Sequence, residues 1–393
     1  MALPIEAVQR ALGEEKLDGW LLYDFQGSNP IASRLVGLAS SGKMATRRWY
    51  YYIPASGAPR GLVHAIERHN LDDLPGEKRV YAGREQLAAG LRDLLNGGGR
   101  VAMEYSPDNA IPYVSRVDAG TIESVRACGV AVVSSGDLAQ RFEAIWTSEA
   151  LATHIAASER LYRIKDRAFD FIRQRMAASA PVSEIEVQEA MVGWFRDESL
   201  VADTPPNVSA QENAGNPHYQ ATRAVHRAIR PNESVLIDLW GKLPVKGAVY
   251  ADITWMGFTG TSIPAEFGAA FAAARDGRDA AVALVQSAVR EGRELRGFEV
   301  DRACRTVVER AGFGAGFVHR TGHSLGENVH GDGVHMDDYE THDDRRLLPG
   351  TGFTIEPGVY TDRYGVRTEI NMFVDEREAR VTGPLQKDIV ALV

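Results

Sequence analysis

Cysteine is nearly missing from this chain: Cys128 and Cys304 are the only two in 393 residues. They permit at most one bridge and offer no paired-thiolate spacing, so a disulfide-held mini-protein and a cysteine-based metal site are both excluded. No uninterrupted apolar run approaches the ~18 residues that a membrane-spanning helix needs. Basic charge is not in excess either. Lys and Arg number 44 against 53 Asp and Glu, a formal net charge of −9, which argues against nucleic acid or an anionic membrane as partner and leaves peptides and other small solutes. Low-complexity tracts, long linkers and solenoid repeats in the range of about 20 to 50 residues are also lacking. The opening MALPIEAVQRALGEEKLDGW mixes apolar residues with Glu15, Lys16 and Asp18 and reads as an amphipathic helix rather than a secretory signal, so the cytoplasm is the expected compartment.

At roughly 150 residues per domain the length predicts two to three domains. Residues 1–146 carry short strands at Trp20–Tyr23, Trp49–Ile53, Gly61–His64 and Val130–Val133 separated by helical patterns, which predicts an α/β domain. From Thr147 the texture changes. Leu161, Ile164, Ala168 and Phe171 recur at helical spacing, and Ser183 with Glu186 forms a capping box that opens a second helix. Residues 147–393 then become strand-rich, with SVLIDLW, AVYADITWMGF, GTGFTIEPGVY and GVRTEINMFV predicting two hairpins separated by helices, an α+β domain.

Four acids interrupt runs that otherwise read as buried strand: Asp238 in VLIDLW, Asp252 in YADITW, Glu356 in FTIEP and Glu369 in RTEINMF. A carboxylate in an apolar site without a partner costs several kcal/mol or neutralises itself, so buried acids call for cations, donors or a metal. At any one position a solvated edge strand is an equally good explanation; four together shift the balance. Asp238 and Asp252 flank the turn-rich GKLPVKG, and Glu356 and Glu369 flank PGVYTDRYG, so each pair can straddle a hairpin. Side chains directly opposite on antiparallel strands lie about 5 Å apart at Cβ, a repulsive arrangement for like charges unless something positive sits between them. Two such pairs brought together make a cage of oxygen ligands suited to hard divalent cations.

Between the two hairpins, FVHRTGHSLGENVHGDGVH holds His319, His323, His330 and His335, a large share of the ten histidines. A lone histidine is more often a satisfied structural residue than a ligand, but clustering in a glycine-rich stretch near acids reverses that expectation. His218, in NPHYQ, is a further candidate.

Taken in order, Asp238, Asp252, His323, Glu356 and Glu369 resemble the five metal ligands of the pita-bread metallopeptidases of family M24, the group of methionine aminopeptidase, aminopeptidase P and prolidase. HY at 218, LIDLW, ADIT, HRTGHSLG, TIEPG and RTEIN stand in that family's order across most of residues 150 to 393, and His330 follows seven after His323. YDFQGSNP and RRWYYYIPASG resemble the smaller domain of the creatinase and prolidase branch, and GVHMDDYETHDDRRL is most similar to bacterial Xaa-Pro dipeptidases, the prolidases. The resemblance implies an α+β chain with a C-terminal pita-bread catalytic domain and a smaller N-terminal α/β creatinase-type domain. It also implies hydrolysis of the Xaa-Pro imide bond in dipeptides through a metal-bridging water, with an Xaa-Pro aminopeptidase acting on longer peptides as the alternative.

In that scheme Asp238 holds one of two divalent ions, Asp252 and Glu369 bridge, and His323 with Glu356 completes the other shell. One imidazole with four carboxylates suits Mn(II), while Zn(II) or Co(II) also fit. Glu356 would shuttle the proton, His218 and His330 would contact substrate and the tetrahedral intermediate, and His319, Arg367 and Tyr364 would stand behind or beside them. A small peptide with Pro after its first residue is the implied partner, and a homodimer the implied assembly. One departure stands out: Asp238 and Asp252 are 14 positions apart, about three more than relatives usually show, which an extension at the hairpin tip absorbs without changing the face either acid occupies.

Two competing signals rank lower. Gly322 to Gly326 spell G-x-S-x-G, the nucleophile elbow of serine esterases, yet Ser324 is followed by a Gly- and Asp-rich stretch where the elbow needs a helix. A non-catalytic binding protein on the pita-bread architecture is disfavoured by five intact ligand positions.

Overall fold

The computed structural model describes residues 3–180 and 182–393. Met1 and Ala2, at the head of the expected N-terminal helix, lie outside the described residues. The chain falls into two compact units, Met1–Glu143 and Ala144–Val393.

In the first unit the elements run α1 (Ile5–Glu14), β1 (Gly19–Asp24), α2 (Pro30–Leu35), β2 (Trp49–Pro54), β3 (Arg60–His64), β4 (Glu77–Tyr81), α3 (Arg84–Leu94), β5 (Gly99–Met103), α4 (Ala119–Arg126), β6 (Val130–Ser134) and α5 (Gly136–Glu143). The strands form one mixed sheet in the order β4-β3-β2-β1-β5-β6. Alternation along β1 explains why this sheet is covered on both faces: Trp20 and Leu22 enter one apolar cluster with Ile31 and Leu138, while Leu21 and Tyr23 enter another with Leu87 and Ile122.

The second unit opens with α6 (Ser148–Ala177), whose N-cap Thr147 accepts a hydrogen bond from Ala150 N, and α7 (Glu184–Asp197), whose Ser183/Glu186 capping box forms as the sequence predicts. β7 (Asn207–Ala210), β8 (Ser234–Gly241) and β9 (Ala251–Phe258) pair antiparallel, then α8 (Ala265–Arg290) and α9 (Gly297–Arg310) pack together. The C-terminal stretch supplies β10 (Gly352–Ile355), β11 (Gly358–Tyr360), β12 (Gly365–Arg367), β13 (Ile370–Val374), β14 (Ala379–Val381) and β15 (Val390–Ala391). β15 joins β9 in parallel, giving sheet order β15-β9-β8-β7, while β10-β13-β14 and β11-β12 form the other two sheets.

The second hairpin departs from the expectation of two unbroken strands. Ile355 pairs with Ile370 and Gly358 with Arg367, a single register that puts Glu356 opposite Glu369, yet the ladder is interrupted at both acids. The reason is that their amides are committed elsewhere: Glu356 N donates to Thr321 O at 2.7 Å and Glu369 N to Thr254 O at 3.1 Å. Each acid is thereby stitched to a neighbouring segment instead of to its hairpin partner.

Among the described residues no helix is long and apolar enough to cross a membrane. A buried histidine, His154, ties α6 to the rest of this unit: Nδ1 donates to Tyr250 O at 2.7 Å and Nε2 accepts from Thr382 Oγ1 at 2.8 Å. Burial pulls its imidazole from the usual 6.5 down to about 4, so it is neutral in the folded state. The unfolded chain then binds the extra proton, and this residue's stabilising contribution is complete above pH 6.5 and lost as pH falls through about 4. Urea unfolding from pH 7 to pH 4 should show wild type losing about 3 kcal/mol more than His154→Gln over that span; parallel curves would show that His154 is not the titrating group.

Candidate metal centre

Two hairpins and one loop deliver the four acids and the imidazole. Along the β8–β9 hairpin Asp238 pairs with Thr254 and Trp240 with Asp252. The two aspartates are therefore diagonal neighbours on one face rather than directly opposite each other, and the residues beyond the expected spacing fall in the connection 242–250, outside the ladder. His323 lies on the segment running beside β10, where Thr354 N donates to His323 O at 2.8 Å and His323 N donates to Thr354 Oγ1 at 2.9 Å. Gly322 is required for that approach, because a Cβ there would collide with the Thr354 carbonyl.

Ligand atoms of Asp252, His323 and Glu369 lie within 4.8 Å of one another, and all three residues are buried. His323 Nε2 is 3.6 Å from Asp252 Oδ2 and 3.5 Å from Glu356 Oε1, too long for hydrogen bonds and natural for side chains aimed at a shared point. The ring is oriented by Nδ1, which donates to Ser324 O at 3.1 Å and leaves the Nε2 lone pair facing the acids. Burial holds this imidazole below its usual range despite the nearby carboxylates. Asp238 turns toward Arg367, whose Nη2 donates to its Oδ2.

Charge is far from balanced. Burial first, and then Asp238 and Glu356, push Asp252 well above the ordinary carboxylate range; Glu369 is raised by burial and by Asp252, Glu356 and Asp238. Asp252 Oδ1 and Glu369 Oε1 are buried with no hydrogen-bond partner among the described residues. Two orphaned carboxylate oxygens beside an available imidazole lone pair are what a divalent cation satisfies, and the donor set of one nitrogen and several oxygens fits such an ion.

Behind the acids runs a fully accounted network. Thr254 Oγ1 donates to Glu369 Oε2 at 2.7 Å and accepts from Arg367 Nε at 3.0 Å; Arg367 Nη1 donates to Tyr360 OH at 3.1 Å, which donates to His319 Nε2 at 2.8 Å. Burial and the Arg367 guanidinium push His319 down to about 3, so this imidazole is neutral and faces Tyr360, not the acids. Asn371 clamps the Asp252 backbone through both amide atoms, its Oδ1 accepting from Asp252 N at 3.0 Å. Thr254, Asn371 and Tyr360 were not singled out from sequence. The first two stand two residues after Asp252 and Glu369, so strand alternation alone puts each on its acid's face.

His330 is exposed and meets His323 edge-on with ring centroids 4.4 Å apart. The neighbouring His323, then burial and the Arg320 guanidinium, lower its pKa; His218 is exposed on the connection between β7 and β8. Tyr364 is the exception. It packs edge-to-face on Phe267 at 5.5 Å within the apolar core, because it stands three residues from Arg367 and so faces the opposite side of the hairpin with Val366; Tyr360 occupies the position expected of it. Ser324 is buried, its Oγ accepts from Gly333 N at 3.0 Å, and no helix follows it, so the esterase elbow does not form. His335 accepts from Ser324 N at 3.0 Å and holds the same loop.

The sequence profile of metallopeptidase family M24 matches residues 156–376. A Xaa-Pro dipeptidase of Lactobacillus helveticus is 30% identical over 202 residues, 51% of this chain and 49% of that protein. A putative Xaa-Pro aminopeptidase of Mycoplasma pneumoniae is 26% identical over 196 residues, 47% of this chain and 50% of its own. The chain thus spans about half the length of the curated relatives it matches. Among solved structures, dipeptidase PepE from Mycobacterium ulcerans superposes with a TM-score of 0.68 at 21% identity, covering 99% of this chain and 96% of that one. Recombinant prolidase from Thermococcus sibiricus gives 0.61 at 19% identity, with 98% of each chain covered. At such identities these likenesses establish a shared fold.

Removing one acid should have opposite effects with and without a cation. In chelated protein at pH 7.5, Asp252→Asn should melt above wild type, because it deletes a buried charge whose folded pKa is raised; that advantage should vanish as pH falls below the unfolded carboxylate range near 4. Divalent cation at about 100 times its Kd should stabilise wild type by about 2.7 kcal/mol and the variant far less. Calorimetry in both conditions checks the two signs.

Proposed function

The chain belongs to metallopeptidase family M24, and from that premise we propose that it hydrolyses the Xaa-Pro imide bond, foremost in Xaa-Pro dipeptides. The observation that carries this reading is the convergence of Asp252, His323 and Glu369, with ligand atoms within 4.8 Å and two carboxylate oxygens lacking any other partner. Asp238, Asp252, His323, Glu356 and Glu369 would hold two divalent ions, Mn(II) ahead of Zn(II) or Co(II) on an oxygen-rich donor set. Bound there, the ions would lower the pKa of water toward neutrality and polarise the scissile carbonyl.

The chain's own side chains do the rest. Glu356 is partly exposed, unlike Asp252 and Glu369, and its Oε1 accepts from Thr354 Oγ1 at 3.2 Å, so this carboxylate is positioned to take a proton from the attacking water and pass it to the leaving imide nitrogen. Thr354 also accepts from His323 N, which couples the shuttle to the ligand beside it. Arg367 holds Asp238 and, through Thr254, Glu369. His330 and His218, on two separate loops, would meet the peptide carbonyl and its developing oxyanion. Tyr360 and His319 fix Arg367 from behind. A cytoplasmic homodimer, with residues 1–146 as the smaller domain and 147–393 as the catalytic one, belongs to the same reading.

An aminopeptidase acting on longer peptides is the second reading, favoured by the Mycoplasma pneumoniae relative, which matches over nearly the same length as the Lactobacillus one. Chelated protein resupplied with Mn(II) should cleave Ala-Pro and leave Ala-Pro-Ala and a p-nitrophenyl ester untouched. Preference for the tripeptide would move the activity to the aminopeptidase; chelator-resistant ester cleavage would restore Ser324 as a nucleophile. Glu356→Gln should lower kcat by about 10²- to 10⁴-fold, the range for a lost general base, while the folded structure is retained.

A further inference from the structure

His218 lies on the connection between β7 and β8, whose regular structure is limited to a short 3-10 turn at Gln211–Gly215. Such a segment has little intrinsic order, and the placement of an imidazole on it depends on side-chain anchors. One anchor dominates. Glu184, the first residue of α7, has no exposed surface and accepts hydrogen bonds from four residues, Ala210 at the end of β7 and three in this connection. Oε1 accepts from Ala210 N at 2.7 Å and Asn213 Nδ2 at 3.0 Å; Oε2 accepts from Asn213 Nδ2 at 3.0 Å, Tyr219 OH at 2.6 Å and Arg227 N at 2.9 Å.

Both ends of the span 210–227 and two points inside it therefore converge on one carboxylate. Tyr219 adjoins His218 in the chain, and His218 N donates to Asn216 Oδ1 at 3.0 Å, so the imidazole's backbone is held from two residues before it and from the residue after it. Burial and the charge of Glu184 hold the Tyr219 hydroxyl well above its ordinary range, which keeps it a donor. The Arg227 guanidinium reinforces the closure, donating to Glu212 at 2.6 Å and to Ala210 O at 3.3 Å. On its other side the turn abuts β12, where Gly365 meets the Ala214 carbonyl too closely for any Cβ. A buried carboxylate is expensive unless fully satisfied, and this one is satisfied entirely by the loop that presents His218.

We propose that Glu184 is a positioning residue for His218: it sets the loop that carries this imidazole, and thereby governs turnover without touching substrate. This deepens the peptidase reading and rests on it. Four variants test it: Tyr219→Phe, Glu184→Gln, Glu184→Asp and His218→Ala, with the Tyr219→Phe/His218→Ala and Glu184→Gln/His218→Ala double mutants. Tyr219→Phe and Glu184→Gln should each lower kcat/KM for Ala-Pro by about tenfold or more, the usual scale for loss of an outer-shell orienting group. Mn(II) stoichiometry should stay at the wild-type value, and neither substitution should reduce activity further once His218 is alanine. Glu184→Asp should recover part of the loss.

Additive losses in the double mutants, or wild-type kcat/KM in a folded Tyr219→Phe protein, would overturn the proposal. Should Glu184→Gln fail to fold, Tyr219→Phe, which deletes a single donor, decides alone. Amide hydrogen exchange provides a readout independent of activity: Tyr219→Phe should speed exchange across residues 213–220 and leave residues 319–325 unchanged. If the wild-type enzyme proves inactive on Xaa-Pro substrates, the functional reading fails, while unchanged exchange in Tyr219→Phe separately overturns the role of Glu184.

Discussion

Repulsion among carboxylates buried together is the constraint on which the second unit depends. Two unit charges 4 Å apart at an effective dielectric near 20 repel by about 4 kcal/mol, and the cluster brings Asp238, Asp252, Glu356 and Glu369 into mutual electrostatic contact. Arg367 answers part of that charge, and Asp238 claims it most directly. The remaining excess falls on Asp252 and Glu369, the two acids with orphaned oxygens. A fold that tolerates this arrangement must hold the acids from outside, since left alone they would move apart or take up protons.

Holding is done mainly by backbone. The amides of Glu356, Glu369, Asp252 and His323 each donate out of their own hairpin, to Thr321 O, Thr254 O, Asn371 Oδ1 and Thr354 Oγ1. Each segment that carries one of these residues is thus bonded to another such segment. Threonine recurs here because a hydroxyl can accept from a backbone amide and donate to a carboxylate at once, as Thr354 does between His323 and Glu356, relaying order without adding charge.

Much of this was legible beforehand because the signal was a contradiction. An acid in the middle of a run such as VLIDLW or FTIEP violates the pattern of a buried strand, and four violations with one histidine cluster named the centre. Strand positions, the capping box at Ser183 and the long helix of residues 265–290 follow from periodicity and local chemistry. Besides Thr254, Asn371 and Tyr360, three features lie beyond the sequence pattern. The diagonal placement of Asp238 and Asp252 depends on where the ladder closes, which spacing alone leaves undetermined. Tyr364 is near Glu369 in sequence, yet its odd offset from Arg367 assigns it to the core. Glu184 carries no sequence signal, because its partners, Ala210, Asn213, Tyr219 and Arg227, lie 26 to 43 positions away and two of them contribute only a backbone amide.

The connection 242–250 illustrates how a protein can age without losing its centre. Because each acid's direction depends only on its parity along β8 or β9, residues gained or lost beyond Gly241 and before Ala251 leave every donor where it was, whereas a single insertion between Asp252 and Phe258 would turn the following residues inside out. A change in length is therefore tolerated best at the tip. There Lys242 Nζ reaches Glu327 O at 2.5 Å and Tyr250 N reaches Gly326 O at 3.0 Å, so the tolerant segment leans on the very loop between His323 and His330. A change of length that leaves Asp238 and Asp252 where they stand would still press on the turn between His323 and His330, so the tip bears on the outer histidine without touching the acids.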